Sequence, residues 1–117
     1  MSWQVLMHPQ VEKWIKDLGE KERVKVMAAI TALELRGPLL GRPLADHLRS
    51  SKIHNLKELR PLGTTLRVIF FFDSRRRAIL LAAGNKFGSW HRWYQVNIPL
   101  AESRAEEFFD SLGDTYE

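Results

Sequence analysis

The segment from Gly84 to Tyr94 carries an unusual mixture of chemically active side chains. Basic, aromatic and imidazole groups alternate there with two glycines; the groups that could act on a ligand belong to Lys86, Trp90, His91, Arg92, Trp93 and Tyr94. This mixture suits phosphate contact, base stacking and proton transfer together. We expect His91 to transfer protons, because the unperturbed pKa of an imidazole lies near neutral pH. Tyr94 is the alternative, as a proton donor or a stacking platform.

Each of these residues also has an ordinary structural interpretation. Lys86 could be a solvated charge, Trp90 or Trp93 a cap on the core, and His91 an incidental surface histidine. The interpretation as a site therefore depends on the whole group following a basic sheet. Within such a site, Arg92 could hold a flanking phosphate, and Trp90 and Trp93 could contact RNA.

Two arginines are expected to converge on one face of the sheet. Arg60 ends one predicted strand and Arg67 lies on the next, so a turn centred on Gly63 brings them close together. Two guanidiniums on one sheet face repel each other unless an anion lies between them, and a phosphate fits their fork geometry. Pairing of Arg60 with Glu58, which shares its strand face, is the structural alternative.

The positive charge is concentrated in one part of the chain. Residues 49–92 contain ten Lys/Arg and two acidic residues, a net charge of +8, whereas the whole chain carries +4. Such a field favours a polyanionic partner, although a solvated basic surface would have the same composition. The further residues expected to contact RNA are Lys57, Arg75, Arg76 and Arg77.

The composition excludes several classes of protein. With 117 residues, of which 44% are hydrophobic, the chain is predicted to form one domain over residues 1–117. It has no cysteine, so disulfides and thiolate metal sites are impossible. The basic segment lacks a carboxylate pair and a helical histidine pair, so we expect neither metal nor cofactor. No apolar run approaches the roughly 20 residues that cross a bilayer, so we expect a cytoplasmic protein without membrane contact.

The hydrophobic spacing predicts an α+β fold. Apolar residues at helical spacing predict a helix from Pro9 that stops at Gly19 and a second helix over Glu20–Arg36. The predicted strands are Trp3–His8, Ile53–Arg60, Thr64–Asp73 and Ala78–Ala83, the last three as an antiparallel meander. Gly37–Ser51 is predicted to be a loop. The helical segment after Gly84 is predicted to be interrupted at Pro99, before a last helix that ends near Leu112.

These elements assemble into a small antiparallel sheet of about four strands, packed on an N-terminal helical hairpin and a C-terminal helix. In the middle strand of the meander, alternate residues share a face. The face that we expect to pack on the helices contains Leu66, Val68, Phe70 and Phe72. Arg67 lies on the other face, which we expect to point away from the core.

The order of these elements resembles the RelE/ParE toxin superfamily, and its HigB-like branch most closely. The motifs that carry the resemblance are Leu56-Lys57-Glu58-Leu59-Arg60, Leu66-Arg67-Val68-Ile69-Phe70, Gly84-Asn85-Lys86 and Ala101-x-x-Arg104. The Glu-Leu-Arg element and the following Arg-Val are the most specific of these. Departures from the family pattern at Ala83, Phe87 and Pro99 leave the assignment of general base and general acid open.

The resemblance implies a RelE-like toxin of a type II toxin–antitoxin system. Such a toxin is a metal-independent endoribonuclease that cleaves messenger RNA, commonly on the ribosome. A cognate antitoxin, a small protein with a DNA-binding helix-turn-helix, silences it and represses the shared operon. Family members carry basic residues at the positions of Arg60, Arg67 and Lys86, which here would neutralise the transition state. The alternatives are a ParE-like inhibitor of DNA gyrase and a non-catalytic RNA-binding module.

Overall fold

A computed structural model describes residues 2–52 and 55–112 of the protein. Its centre is a mixed five-stranded sheet with helices on both faces. The strands are β1 (Gln4–Met7), β2 (Ala45–His47), β3 (Lys57–Leu59), β4 (Leu66–Phe72) and β5 (Arg77–Asn85). The helices are α1 (Pro9–Asp17), α2 (Glu20–Arg36) and α3 (Trp90–Leu112). Within the sheet the strand order is β1-β5-β4-β3-β2. No helix in the described ranges is long and apolar enough to span a bilayer.

The N-terminal helical hairpin forms where the sequence predicts it. His8 caps α1, because its Nδ1 accepts a hydrogen bond of 3.1 Å from the Gln10 backbone N–H, and Pro9 supplies the fixed φ of the first turn. Gly37 ends α2 at a φ of 54°, a conformation that favours glycine. Helix α2 ends beside the start of β1, where the Trp3 backbone N–H donates a hydrogen bond of 2.8 Å to the Glu34 carbonyl, and the chain then passes to β2 at the opposite edge of the sheet.

Both faces of the sheet are buried. Leu66, Val68 and Phe70 of β4 pack with α1 and α2, as the alternation predicts. The opposite face of β4 packs against α3 through Ile69 and Phe71, so the side of the sheet that carries Arg67 is covered as well. The residues of α3 in this second core are Ile98, Ala101, Ala105 and Phe109. The expectation that this face points away from a core was therefore wrong.

The α+β class is confirmed, but the sheet is neither four-stranded nor wholly antiparallel. β1 runs parallel to β5, with Gln4 opposite Arg77. Periodicity reveals the face of a strand but not its distant partner, so this pairing has no local signal. β2 lies inside the predicted loop and has only three residues, too few to show alternation. The strand predicted from Ile53 begins at Lys57, and Ile53 itself lies outside the described residues.

The predicted interruption at Pro99 was also wrong, since α3 continues through this residue. Proline removes one backbone hydrogen bond and its ring crowds the preceding turn. Here Ile98 and Ala101, on either side of the proline, are both buried against the sheet. Arg104 further ties the helix to β5 by donating a hydrogen bond of 2.8 Å to the Leu81 carbonyl. Packing on both sides of Pro99 thus keeps the helix continuous.

Gly84 of β5 determines how closely α3 approaches the sheet. A Cβ atom at this position would lie 2.7 Å from Nε1 of Trp93. We expect Gly84→Ala to displace the Trp93 ring and lower the free energy of unfolding by about 1–3 kcal/mol, the usual cost of overpacking. Urea unfolding measures this change. Gly41→Ala is the control, because nothing lies within 4 Å of the added Cβ, and equal losses in the two variants would contradict the interpretation.

Candidate functional site

A buried carboxylate joins three elements of the fold at one end of the sheet. Glu58 of β3 is only 2% exposed. Its Oε2 accepts hydrogen bonds of 2.7 and 3.0 Å from the Arg60 guanidinium, and its Oε1 accepts one of 2.6 Å from the Tyr94 hydroxyl of α3. The Nε of Arg67, on β4, lies 3.7 Å from the same Oε1. These residues and Lys86 form what we call the Glu58 cluster.

Arg67 is fixed in place but incompletely bonded. Its side chain is 12% exposed, and its Nη1 donates a hydrogen bond of 2.7 Å to the Leu66 carbonyl. Its buried Nε has no hydrogen-bond partner among the described residues. A buried donor without an acceptor costs free energy. An oxygen atom that reached this donor would therefore be favoured.

Lys86 places a third cation beside the two arginines. The residue is 6% exposed, and its Nζ lies 3.9 Å from the ring centroid of Trp90 and 5.6 Å from that of Tyr94. Burial lowers the pKa of Lys86 below its ordinary value, and the positive charge of Arg67 lowers it further. Contact with the aromatic faces offsets part of the cost of desolvating the ammonium group.

Tyr94 is held in its protonated form. Burial raises the pKa of Tyr94 to about 12, and the hydrogen bond that its hydroxyl donates to Glu58 acts in the same direction. The phenol therefore keeps its proton at neutral pH. The phenol can donate this proton to a substrate, but it could act as a base only after losing the proton.

Asp46 lies beside the cluster and balances part of its charge. It faces Glu58 across the β2–β3 pair, and two carboxylates in such positions repel each other. The Arg60 guanidinium lies between them, with Nη2 at 3.5 Å from Asp46 and 2.7 Å from Glu58. Arg42 also donates to Asp46, at 3.0 Å. Asp46 was missed in the sequence, because β2 was not predicted as a strand.

Three residues of the 84–94 segment lie outside the cluster. His91 is exposed, and its Nε2 lies 3.2 Å from the Gln95 side-chain amide. Arg92 is also exposed, and helical geometry puts it about half a turn from Trp90 and Tyr94. Trp93 is half-buried and packs over Gly84 with the second core, which is the role of a core cap. The structure thus brings Tyr94 into the cluster and leaves His91 beside it.

The remaining basic residues are dispersed over the sheet. Lys57 lies on the opposite face of β3 from Glu58, with its Nζ 5.3 Å from the Phe72 ring centroid. Arg75, Arg76 and Arg77 lie at or beside the β4–β5 turn, roughly 17 Å or more along β4 from Arg67 at about 3.3 Å per residue. These four residues do not form one continuous surface with the cluster.

A metal centre finds no support in the described ranges. No group of three or more His, Asp or Glu side chains lies close enough together there to hold a metal ion. The Glu58 carboxylate is already bonded to Arg60 and Tyr94. The cluster holds three cationic side chains and a phenol that keeps its proton at neutral pH.

The stability contributed by the Tyr94 hydroxyl should disappear at high pH. Because its folded pKa is raised from 10.0 to about 12, the contribution is complete below pH 10 and is lost as the pH rises through about 12. We expect Tyr94→Phe to lower the free energy of unfolding by about 1–3 kcal/mol at neutral pH, since Glu58 loses a donor. Urea unfolding over a pH series measures the difference. A difference that persists unchanged above pH 12 would contradict this assignment.

The sequence matches a known family over most of its length. The family described as "Phage derived protein Gp49-like (DUF891)" matches residues 13–106. A Mycobacterium tuberculosis protein named "Putative toxin HigB3" is 49% identical over 107 residues, which cover 92% of this chain and 94% of that protein. "Putative toxin HigB2" of the same organism is 41% identical over 109 residues. These cover 91% of this chain but only 54% of that protein.

Solved structures share the fold at low sequence identity. A chain from the crystal structure of an archaeal RelE–RelB complex from Pyrococcus horikoshii aligns with a TM-score of 0.62 and 19% identity, covering 76% of this chain and all of that one. The isolated E. coli RelE toxin aligns with a TM-score of 0.61 and 12% identity, covering 81% of this chain and 96% of that one. The RelE-like fold inferred from the motifs is confirmed. The chain belongs to the Gp49-like family, within the HigB-like branch of the RelE/ParE toxin superfamily.

Proposed function

We propose that this chain is the toxin of a toxin–antitoxin pair and that it cleaves messenger RNA without a metal ion. The observation that carries the proposal is the Glu58 cluster. Four residues converge there: Arg60 from the end of β3, Arg67 from β4, Lys86 from the segment after β5 and a protonated Tyr94 from α3. Three cations can stabilise the negative charge that develops on a phosphodiester during cleavage, and the proton donor can protonate the leaving oxygen.

Metal-free RNA cleavage places definite demands on such a site. The 2′-oxygen forms a bond to phosphorus while the bond from phosphorus to the 5′-oxygen breaks. A base takes the 2′-hydroxyl proton, an acid returns a proton to the 5′-oxygen, and cations neutralise the charge that develops on the phosphoryl oxygens. The product is a 2′,3′-cyclic phosphate.

The cluster can meet the charge and acid requirements. Arg60 is about one-third exposed and uses only part of its five N–H donors on Glu58, so other donors remain for a phosphate oxygen. Arg67, whose side chain is 12% exposed, adds a second guanidinium beside Glu58. Tyr94 keeps its proton at neutral pH and is suited to protonate the leaving 5′-oxygen, with Glu58 holding the phenol in position. His91, one residue beyond Trp90 on α3, is the candidate base.

The expected partners follow from the family and from the charge. Messenger RNA, bound on the ribosome, is the proposed substrate of the basic cluster. A small antitoxin is the proposed inhibitor, as RelB is found in complex with RelE in the archaeal relative. Acidic groups on the antitoxin would be attracted by the same arginines that recognise phosphate. A helix-turn-helix on that antitoxin is implied by the family resemblance.

Expression of the chain alone should arrest bacterial growth, and Arg67→Ala should relieve the arrest. If Arg67 acts as a transition-state donor, its loss should cost about 2.7–4 kcal/mol, roughly a hundred- to thousand-fold in cleavage rate. Growth curves and primer-extension mapping of cut messenger RNA measure the two effects. Co-expression of the antitoxin should restore growth to the wild-type strain.

Arg76→Ala is the matched control, because it removes the same charge from the exposed β4–β5 turn. Its cleavage rate should stay close to that of the wild type. Urea unfolding of both variants is needed, since Arg67 also contacts the buried Glu58. Equal loss of toxicity in two folded variants at matched expression would attribute toxicity to general charge and would remove the support for a positioned site.

Cleavage should persist in excess EDTA, in an assay whose ribosomes stay intact. The cut RNA should carry a 2′,3′-cyclic phosphate or the 3′-phosphate that forms from it, because the 2′-hydroxyl is the attacking group. End-group analysis of the cut RNA by mass spectrometry checks this. Loss of activity with the chelator, restored by one divalent metal, would overturn the mechanism.

A further inference from the structure

We propose that a cavity beside Tyr94 binds a nucleobase of the RNA, next to the nucleotide whose phosphate meets the Glu58 cluster. The inference rests on the proposed ribonuclease function and adds a subsite to it. The cavity has a volume of about 500 Å³ and lies between α3 and the segment that follows β2. This volume falls in the range of about 300–1,000 Å³ that is usual for small-molecule sites.

The lining of the cavity matches the chemistry of a base. The apolar part of its lining consists of Leu48, Ile98 and Pro99, with Tyr94 beside them. His91 and Gln95 also line it, and both are exposed. A nucleobase has a hydrophobic π-face and a polar edge, so it can stack on the walls while its edge meets an amide and an imidazole. The Gln95 side-chain amide, which can both donate and accept hydrogen bonds, would then discriminate between bases.

Hydrogen bonds join the two walls of the cavity. Glu102 of α3 accepts hydrogen bonds on one carboxylate oxygen from the Ser51 hydroxyl, at 2.9 Å, and from the Lys52 backbone N–H, at 2.5 Å. These bonds tie the segment after β2 to the helix, on the side of the cavity away from the cluster. A cavity held open in this way costs a ligand less ordering entropy.

Continuity with the Glu58 cluster favours RNA over a peptide as the occupant. Tyr94 belongs to both places, because its hydroxyl bonds to Glu58 while the residue lines the cavity. A chain whose phosphate lies on Arg60 and Arg67 therefore presents its neighbouring nucleotide to the cavity. Lys52 and Glu102 both line the cavity and carry opposite charges, so the positive field that attracts a phosphate backbone comes from the adjacent Glu58 cluster.

The test measures binding of short RNAs that are 2′-O-methylated throughout, so that the attacking hydroxyl is blocked. Four carry a single base type each, and a fifth has an abasic position flanked by bases. The wild type should bind at least one base-bearing RNA roughly 5- to 150-fold more tightly than the abasic RNA, the usual effect of stacking one base. Fluorescence anisotropy gives the affinities.

Gln95→Trp should fill the cavity and remove this discrimination. Val96→Trp adds the same side chain at the next position of α3, which is 58% exposed and does not line the cavity, and should retain it. Should Gln95→Trp fail to fold, Gln95→Ala should still change the order of preference among the four bases, because it removes the amide.

Different failures separate this inference from the function on which it rests. Equal affinity of the wild type for abasic and base-bearing RNA, with messenger RNA still cleaved, would overturn the cavity assignment and leave the ribonuclease standing. Absence of both binding and cleavage would overturn both proposals. Unchanged base discrimination in Gln95→Trp, together with loss of antitoxin capture, would assign the cavity to the protein partner and overturn the inference.

Discussion

The pairing of the buried Glu58 carboxylate is the constraint on which the arrangement of this protein depends. Removing a carboxylate from water costs several kcal/mol unless ion pairs and hydrogen bonds replace its hydration. At Glu58 the replacements come from Arg60 next to it, Arg67 on the adjacent strand and Tyr94 on α3. The contact between α3 and this end of the sheet is therefore electrostatic as well as hydrophobic. It also positions the side chains that we expect to act on RNA.

Burial shifts the pKa values of Tyr94 and Lys86 in opposite directions, and each shift favours the neutral form of the side chain. It raises the pKa of Tyr94 and lowers that of Lys86, as expected when charge is removed from water. Glu58 strengthens the first effect, whereas Arg67 strengthens the second. One low-dielectric environment thus prepares a phenol that keeps its proton and an ammonium group that gives up its proton more readily than an exposed lysine does.

Local patterns in the sequence were sufficient for the helical hairpin and for the convergence of Arg60 and Arg67. The spacing of apolar residues, with Pro9 and Gly19 as boundaries, gave α1 and α2, and one short turn was enough to bring the two arginines together. The alternation through Glu58 and Arg60 also indicated their shared face. Such arguments succeed because the interacting residues are separated by only a few positions.

Contacts between segments that are far apart in the chain could not be predicted from the sequence. Tyr94 meets Glu58 across 36 positions, and β1 pairs with the last strand of the sheet. Residue type alone favours His91 over Tyr94 for proton transfer, but the rotation of α3 decides which of the two side chains faces the sheet. That rotation is set by Ile98, Ala101 and later residues of the helix, and it could not be read from the 84–94 segment itself.

The net positive charge that first suggested a polyanionic partner serves two separate purposes in the fold. In the β4–β5 turn, Arg77 pairs with the buried Asp73 and Arg76 stacks over Trp3, 4.6 Å from its centroid, so this charge also holds the turn together. The distance from the turn to Arg67, roughly 17 Å or more, exceeds the Debye length of about 8 Å at physiological ionic strength. The turn can attract a long polyanion, but it cannot stabilise charge that develops at the Glu58 cluster. Specific chemistry must therefore come from the few cations that the buried carboxylate fixes in place.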